Sequence, residues 1–425
     1  MPSITRRRAL SAGALAAAAL AGCSARRECP PLAAPPAGTD WPQPRHCPGN
    51  AATAAADAAP DALDVRWRTP TDARFRPPLV AGGVVYVPGI DRPTEDGRSR
   101  PRLFALDADT GERRWRRRLG DAFDDAHLVA AAEEGAYVLA EPSDSDDDWR
   151  LTAVDADGAV RWTFDAPAMR DAALAGDAVC AVTKGSVVVL DAASGEVCRR
   201  LRPGDGPLSR WLSDVRPVGR PAVADGAVYA AAARHDVDRE DDYFADRLVA
   251  VDASSAERRW EERIRDVGFV EGVVAAGGRA FASTFEPGRV VAVDGETGER
   301  LWTRGVGEGA LPVAATGDVV VASGSEGNVA FDAETGTRRW TGGAFYGPPV
   351  VAGERIYGVA DAEGLADALV VAGLPDGRER TRVEMGGQVG SHPVVAGGSV
   401  FVHVATFDRS EEPSEHAGDR LVALG

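Results

Sequence analysis

The sequence predicts an all-β protein, an eight-bladed β-propeller of four-stranded antiparallel blades whose last blade is closed by an N-terminal strand. Three observations predict this fold. A two-part repeat recurs along the chain, and each part has the pattern of two strands joined by a tight turn. The final copy stops early, and an isolated strand precedes the first copy. Repeats of this length, each forming one small sheet, are typical of propellers.

The second part of the repeat reads LFALDADTGERRW at residues 103–115. Alternating apolar residues before the aspartate indicate a strand. The Asp-x-x-Thr-Gly that follows indicates a turn, because the aspartate accepts bonds from amides ahead of it and glycine accepts a positive φ. The other copies are 151–162, 187–199, 248–260, 290–302, 328–340, a degenerate 369–381 and a truncated 421–424. We expect the turn at Asp107, Asp155, Asp191, Asp252, Asp294 and Asp332.

The first part of the repeat reads PPLVAGGVVYV at residues 77–87. Two apolar strands around Gly-Gly indicate a tight hairpin. This part therefore adds two strands to the two of the second part. Its other copies lie near residues 127–139, 170–182, 220–231, 271–282, 311–322, 347–358 and 391–404.

The two ends of the repeat array predict how the ring closes. The last copy, residues 391–424, contains three strands, and the lone DVRWR at residues 64–68 has the form of a fourth. Pairing these segments would leave no sheet edge open at the junction. The sequence therefore predicts seven whole blades and one shared blade.

Six tryptophans occupy one place on the outer strand of the repeat, and we expect them to pack against the next blade. Arg199 and Thr381 occupy this place in two aberrant copies, whose blades we expect to pack less well. The six blade-packing residues are Trp67, Trp115, Trp162, Trp260, Trp302 and Trp340.

The first 62 residues have the features of an export signal followed by a linker. Arg6 and Arg7 lie in a segment that resembles a twin-arginine export signal, an apolar stretch covers about 9–21, and LAGC at 20–23 fits a lipoprotein cleavage site. We expect residues 1–22 to be an export signal, Cys23 to carry lipid, residues 23–62 to form a Pro/Ala-rich tether, and 63–425 to form the propeller. The mature protein would be anchored at the outer face of the cytoplasmic membrane.

The charge of the chain is strongly negative, and its basic residues are almost all arginine. The formal net charge is −17, with 65 acidic and 48 basic residues, and Lys184 is the single lysine. Removing residues 1–22 takes away three arginines and no acid, which makes the charge −20. A surface of this kind is typical of extreme halophiles, because high salt screens the self-repulsion. A GC-rich genome would also favour arginine. Nucleic acid is a poor partner in either case.

The repeat motif VxAxDxxTGxxxW resembles that of PQQ-like, or quinoprotein-type, propellers, which include BamB-like lipoproteins and quinoprotein dehydrogenases. The resemblance covers residues 41–425 and specifies the fold far more strongly than the function. It also includes the DWPQPR of residues 40–45 with Asn50, which resembles a segment that lies against the propeller rim in such proteins. Quinoprotein enzymes hold PQQ and calcium over the propeller axis, commonly with an adjacent Cys-Cys pair, which this chain lacks.

The cysteines suggest one disulfide. Cys29 and Cys47 flank the DWPQPR segment, and an exported protein permits a bond between them. Cys180 and Cys198 would lie on strands separated by a third strand, too far apart to bridge. We expect free buried thiols at those two positions.

Candidate binding sites lie at the ends of the propeller. Residues just before the first strands should ring the mouth of the axis, where they would bind a small anion or a peptide or form a hydrated channel of paired ions. Long insertions at 89–101, 141–149, 202–216, 234–246 and 406–419 should share one face. The predicted mouth residues are Arg76, His127, Arg170, Glu271 and His392.

Two insertions are acidic and could hold calcium, although neither has EF-hand spacing. Their carboxylates are Asp144, Asp146, Asp147 and Asp148, and Asp236, Asp238, Glu240, Asp241 and Asp242. No residue set points to catalysis, a resident metal or a bound cofactor. The sequence thus favours a non-catalytic, monomeric surface lipoprotein that binds proteins as a scaffold; the alternative is a PQQ-dependent or other small-molecule redox enzyme that uses the axis.

Overall fold

The computed structural model shows eight antiparallel sheets arranged as the blades of a propeller. This confirms the predicted fold class and blade number. The structure describes residues 39–71, 73–91, 100–120, 123–143, 148–167, 169, 171–183, 186–201, 215–234, 246–252, 257–265, 269–325, 327–343, 345–360, 367–390, 392–408 and 415–425.

The described chain begins with β1 (Thr53–Ala54), a single 3-10 turn (Ala56–Ala58) and β2 (Val65–Thr71), and both strands join blades formed late in the sequence. No helix among the described residues is both long and apolar enough to span a bilayer. In blades 1 to 7 the four strands, a to d, run in chain order from the inside to the outside, and in blade 8 the N-terminal β2 serves as strand d.

Blades 1 to 4 occupy the first half of the ring, and in blade 1 strand a is split in two. Their strands are β3 (Arg74–Phe75) with β4 (Leu79–Ala81), β5 (Val84–Ile90), β6 (Pro101–Asp107) and β7 (Arg113–Arg118); β8 (Phe123–Ala132), β9 (Gly135–Pro142), β10 (Asp148–Asp155) and β11 (Val160–Pro167); β12 (Asp171–Ala175), β13 (Ala178–Thr183), β14 (Ser186–Asp191) and β15 (Val197–Leu201); and β16 (Val215–Ala224), β17 (Ala227–Arg234), β18 (Arg247–Asp252) and β19 (Arg258–Arg263).

Blades 5 to 8 complete the ring, and in blade 8 strand a is again split. Their strands are β20 (Phe269–Ala276), β21 (Arg279–Phe285), β22 (Gly288–Asp294) and β23 (Arg300–Gly307); β24 (Ala314–Ala315), β25 (Val319–Gly324), β26 (Gly327–Asp332) and β27 (Arg338–Gly342); β28 (Tyr346–Ala352), β29 (Arg355–Ala360), β30 (Ala368–Gly373) and β31 (Glu379–Glu384); and β32 (Gln388–Val389) with β33 (Val394–Ala396), β34 (Ser399–Asp408), β35 (Glu415–Leu424) and β2.

The ring closes on itself as the sequence predicts. Each strand a contacts strand a of the next blade, and the last of these contacts joins β33 of blade 8 to β4 of blade 1. In blade 8, β2 pairs with β35, with Thr69 opposite Leu421, and the amide of Gly425 donates to the carbonyl of Asp64. The two ends of the propeller therefore share one sheet.

Antiparallel order gives the propeller two distinct faces. The a–b hairpins and c–d turns lie on one, which we call the turn face. The b–c connections and the connections between blades lie on the other, which we call the loop face. On the turn face, Oδ1 of Asp107 accepts bonds from the amides of Asp109 and Thr110, and Asp294 and Asp332 repeat the arrangement. The bond from Arg114 lowers the pKa of Asp107 to about 2.

The six repeated tryptophans join each blade to the next. The indole of Trp67 donates to the carbonyl of Ala108 in blade 1, and its ring covers Gly111, where a Cβ atom would lie 2.5 Å from the ring. The same contact recurs around the ring, because every c–d turn that receives a tryptophan carries a glycine. The further pairs are Trp115 with Gly158, Trp162 with Gly195, Trp260 with Gly298, Trp302 with Gly336 and Trp340 with Gly377.

Candidate functional site

The N-terminal segment Thr39–Ala54, which we call the plug segment, makes one circuit inside the propeller at the turn face. It hydrogen-bonds strand a of successive blades in ring order, starting at blade 8. The bonded pairs, from blade 8 through blade 7, are Thr39 with Gly397, Trp41 with Val80, Pro42 with Ala131, Gln43 with Leu174, Pro48 with Val223, Gly49 with Ala275, Ala51 with Ala315, and Ala52 with Val351.

The plug segment completes the bonding of the inner strands. Strand a is the inner edge of every blade, so its amides that face the channel have no partner within the sheet. Buried backbone groups of this kind are rarely left unpaired. Carbonyls of the plug segment accept from these amides, as Pro42 does from Ala131 at 2.7 Å. The expected position against the rim is therefore wrong, because the segment lies inside the ring, where the bonding groups are.

A buried polar network lies where the plug segment faces the channel. The guanidinium of Arg220 in blade 4 donates to Oδ1 of Asn50 at 3.1 Å, to Oε1 of Gln43 at 2.9 Å and to Oδ1 of Asp171 at 3.2 Å. The amide of Asn50 in turn donates to the carbonyls of Pro221 and Val273. One arginine thus holds both the plug segment and blade 3.

Arg45 is the second cation of this network. Its guanidinium donates to the carbonyls of Asn50 and Pro312 at 3.4 Å each and to that of Val313, and burial lowers its pKa to about 10. Nε2 of His392 lies 2.9 Å from the carbonyl of Pro44, and burial with the nearby charge of Arg45 lowers the histidine pKa to about 4. His392 is therefore neutral at pH 7.

The other predicted mouth residues are not gathered into one site. Arg76 is ion-paired with Asp125 of the next blade, with 3.1 Å between Nε and Oδ1. Burial lowers the pKa of His127, and Glu271 is exposed, with a carboxyl pKa raised by partial desolvation. Arg170 lies outside the described residues. Among the predicted mouth residues within the described ranges, Arg76 is in an ion pair, and the set does not form one binding site.

Sequence reasoning missed Arg220 and Asp171, the two charged residues at the centre of the network. Both residues lie one position after the place that the repeat alignment assigns to the mouth, which Gly219 holds in blade 4 and Arg170 holds in blade 3. The signal that could have found them was the DWPQPR segment itself, because buried Gln43 needs polar partners.

The cysteines differ from expectation in two places. Cys47 is free, so the predicted pairing with Cys29 is wrong; the thiol is held inside the plug segment, where burial raises its pKa. Cys180 is free and buried as expected, and burial raises its pKa to about 12. Cys198 is disulfide-bonded rather than free, and neither Cys47 nor Cys180 is its partner.

Blade 2 places an aromatic cluster at the loop face. Trp149 is half-buried at the start of strand c and meets the ring of His127 edge-on, with centroids 6.4 Å apart. Its neighbour Arg150 lies 5.2 Å from the centroid of Phe123 and is ion-paired with Asp165 at 2.7 Å. Tryptophan and arginine are the residue types most enriched at the centres of protein interfaces.

Several predicted sites lie outside the described residues. They include Arg6, Arg7, Cys23 and Cys29 of the N-terminal region, and every carboxylate of the two acidic insertions except Asp148. Within the described ranges, no group of three His, Cys, Asp or Glu side chains is placed to hold a metal ion.

Two carboxylates of the described channel are not available to a PQQ–calcium site. Such a site needs carboxylate oxygens that are available to calcium. Here Asp171 is bonded to Arg220, and Asp125 is bonded to Arg76. We therefore derive no reaction through PQQ.

The eight four-stranded blades, the Asp-x-x-Thr-Gly turns and the tryptophan–glycine contacts define a PQQ-like β-propeller. The chain belongs to the family described as "Outer membrane protein assembly factor BamB", whose model matches residues 64–304 and 286–368. A search of curated proteins finds no match.

Solved structures of two functional kinds share the fold. BamB from Moraxella catarrhalis is 18% identical with a TM-score of 0.53, covering 85% of this chain and 97% of its own. A europium-containing methanol dehydrogenase is 13% identical with a TM-score of 0.61, covering 91% and 98%. The quinohemoprotein alcohol dehydrogenase of Comamonas testosteroni is 13% identical with a TM-score of 0.59, covering 91% and 80%. Identities this low show the fold alone.

Proposed function

We propose that this protein is an exported, lipid-anchored, non-catalytic scaffold whose loop face holds other surface or membrane proteins. The observation that carries the proposal is the plug segment. It fills the turn-face end of the channel and bonds the polar groups there, with Arg220 joined to Gln43, Asn50 and Asp171. Because the plug segment occupies the turn-face end, the loop face is the end of the ring that we assign to partner binding.

The family supports a role in assembly, and the loop face supports the choice of surface. BamB is described as an outer membrane protein assembly factor. The connections that would carry the recognition lie on a closed ring, and long loops on a rigid scaffold are a common place for binding sites. The Trp149–Arg150 cluster would supply the anchor that protein interfaces require.

The N-terminal sequence supports anchoring at the membrane. LAGC at 20–23 would leave Cys23 as the lipid-bearing first residue, and a Pro/Ala-rich tether leads from it to the plug segment. We expect the mass of the mature protein to show acyl chains, and Cys23→Ser to abolish both the added mass and membrane recovery. An unmodified protein with an intact Cys23 would refute the anchor.

Crosslinking in the native host tests the scaffold role. A photo-reactive amino acid would replace exposed Glu141, at the loop-face end of blade 2, or exposed Glu296, in a turn-face loop of blade 5, as the matched control. We expect discrete adducts with one or a few proteins from Glu141 and none from Glu296, with Trp149→Ala reducing the yield at least threefold. Equal adducts from both sites, or none from Glu141, would count against the loop face.

The redox alternative is tested by adding the cofactor directly. Purified residues 24–425 are titrated with PQQ and calcium in molar salt, followed by dye reduction with alcohols and sugars. We expect no saturable absorbance change and no turnover. Saturable binding with dye reduction would replace the scaffold with an enzyme of the axis.

A further inference from the structure

The outer strands of blades 8 and 1 form a cationic band on an acidic protein. β2 reads VRWRTPT and β7 reads RRWRRR, so two neighbouring strands carry seven arginines and no acidic residue, in a chain of net charge −17. We call these residues the arginine band: Arg66, Arg68, Arg113, Arg114, Arg116, Arg117 and Arg118.

Three members of the band are left uncompensated. Arg68, Arg113 and Arg116 are exposed and make no hydrogen bond or ion pair with any described residue. The others have partners, such as Asp107 for Arg114 at 2.7 Å and the carbonyl of Gly158 for Arg117.

Most arginines on the equivalent strands of the other blades have a partner. Arg300 of blade 5 occupies the place of Arg113 and is bonded to Glu262 on the preceding blade. On blade 8 the place of Glu262 is held by Thr69, which carries no charge to pair with Arg113. In blade 7, Glu379 is bonded to Arg382 within one strand. Arg338 of blade 6 is exposed without such a partner among the described residues, so the uncompensated arginines are concentrated on blades 8 and 1 and not confined to them.

An apolar recess lies between these two blades. The cavity has a volume of about 300 Å³ and is lined by Phe75, Phe104 and Leu106, with Thr69 and Arg113 also on its wall. A cationic surface beside an apolar recess fits a molecule with an anionic head and an apolar body.

We propose that the arginine band docks on the anionic phospholipid headgroups of the membrane that holds the anchor. This inference takes from the proposed function only that the protein is held at a membrane, and it rests on the charge of the band itself. A basic patch adds electrostatic attraction to an anionic membrane surface, beside the attachment that a lipid anchor supplies. The planar guanidinium group matches the geometry of phosphate and can donate two parallel hydrogen bonds to it.

An acidic protein is a weaker fit to this surface. Protein interfaces depend on large apolar or aromatic anchors at their centre. The exposed large apolar side chains of the described structure are Val160, Val197 and Leu301, and all three lie outside the arginine band. Anionic phospholipid headgroups need cationic side chains on the protein surface and no apolar anchor among them.

Vesicle flotation with unlipidated protein tests the docking. Residues 24–425, which include the plug segment and all eight blades, are mixed with vesicles of phosphatidylglycerol and phosphatidylcholine or of phosphatidylcholine alone. We expect binding to the anionic vesicles only, weakening as salt is raised within the range in which the protein remains folded. We expect Arg68→Gln/Arg113→Gln/Arg116→Gln to weaken it at least tenfold.

The matched control removes three other exposed arginines. Arg265→Gln/Arg338→Gln/Arg378→Gln makes the same change in net charge, and Arg338 holds the place of Arg113 on blade 6. We expect less than a twofold effect. Equal loss in both variants, equal binding to neutral vesicles, no vesicle binding, or full competition by millimolar inorganic phosphate would overturn the inference. Because the protein carries no lipid here, a failed anchor at Cys23 would leave this result unchanged.

Discussion

A glycine in each c–d turn and a tryptophan on the preceding blade act as a pair. The ring of Trp67 lies on Gly111 so closely that no side chain fits between them. The two blades without this tryptophan follow the same rule. Arg199 lies on blade 3, and the corresponding segment of blade 4, DASSAE, contains no glycine. Thr381 lies on blade 7, and strands c and d of blade 8 come from opposite chain ends and share no turn. The aberrant copies thus lack a tryptophan where a glycine is also missing.

Substituting the turn glycine measures this contact. Gly111 and Gly83 have nearly equal positive φ values, 72° and 70°, but a Cβ at Gly83 would meet nothing within 4 Å. We expect Gly83→Ala to cost about 1 to 2 kcal/mol from the backbone alone. Gly111→Ala should cost about 1 to 3 kcal/mol more, because it displaces Trp67. Denaturant unfolding of both variants decides it, and equal losses would show that the ring contact adds nothing.

A buried neutral histidine makes stability depend on acidity. The folded pKa of His392 is about 4, against a model-peptide value of 6.5. Below pH 6.5 the unfolded chain takes up a proton that the folded chain refuses, so this contribution is complete above pH 6.5 and is lost progressively toward pH 4. The loss is on the order of 3 kcal/mol. His392→Gln, whose amide can still donate to Pro44, should flatten unfolding free energies over that interval; an unchanged slope would contradict the assignment.

At the scale of elements, the plug segment is an irregular chain that bonds all eight blades at once. Its backbone carbonyls accept from seven blades, and the side chain of Gln43 donates to the carbonyl of Leu174 in blade 3. Its side chains also reach Arg220 and the blade 4 and 5 carbonyls. Every residue has a backbone carbonyl, so these bonds leave no pattern in the sequence. The DWPQPR motif could therefore identify the segment but could not predict its course around the channel. Its burial makes it part of the propeller rather than part of the tether.

Removing one amide from the plug segment should weaken the whole ring. Asn50 has a φ of 55°, so Asn50→Gly removes the side chain without adding backbone strain. The change removes the acceptor of Nε of Arg220, which keeps its bonds to Gln43 and Asp171, and removes one donor to each of two carbonyls, at about 1 to 3 kcal/mol for each buried group left unsatisfied. Asp225→Gly, at an exposed residue with φ of 50°, is the control and should be neutral or stabilising. Comparable melting temperatures for the two variants would refute the role of Asn50.

At the scale of the whole molecule, charge sets the conditions in which the fold is stable. Sixty-five acidic and 48 basic residues leave −17, and self-repulsion of that size opposes a compact state. The arginine band is the exception on this surface, and it faces outward on two adjacent blades. The net negative charge therefore bears on the stability of the fold, while the arginine band bears on binding.

Stability should rise with ionic strength. Between 0.1 and 2 M NaCl the screening length falls from about 10 Å to below about 3 Å, which removes repulsion between surface carboxylates. We expect the melting temperature to increase over this range, and to increase equally in KCl because screening does not distinguish the two cations. A flat or falling melting temperature would contradict the halophilic interpretation of the composition.

The sequence by itself determined the blades, their number and their closure, because strand alternation recurs in eight copies, the aspartate turns mark six of them, and the truncated last copy matches the lone first strand. It also located the tryptophans and the plug segment. Only the tertiary structure decided what those parts touch. Arg220 reaches Asn50 across about 170 residues, Cys47 stays free inside the ring, and β2 and β7 become neighbours across the closure. Such contacts join distant segments in space, and no local pattern records which segments will meet.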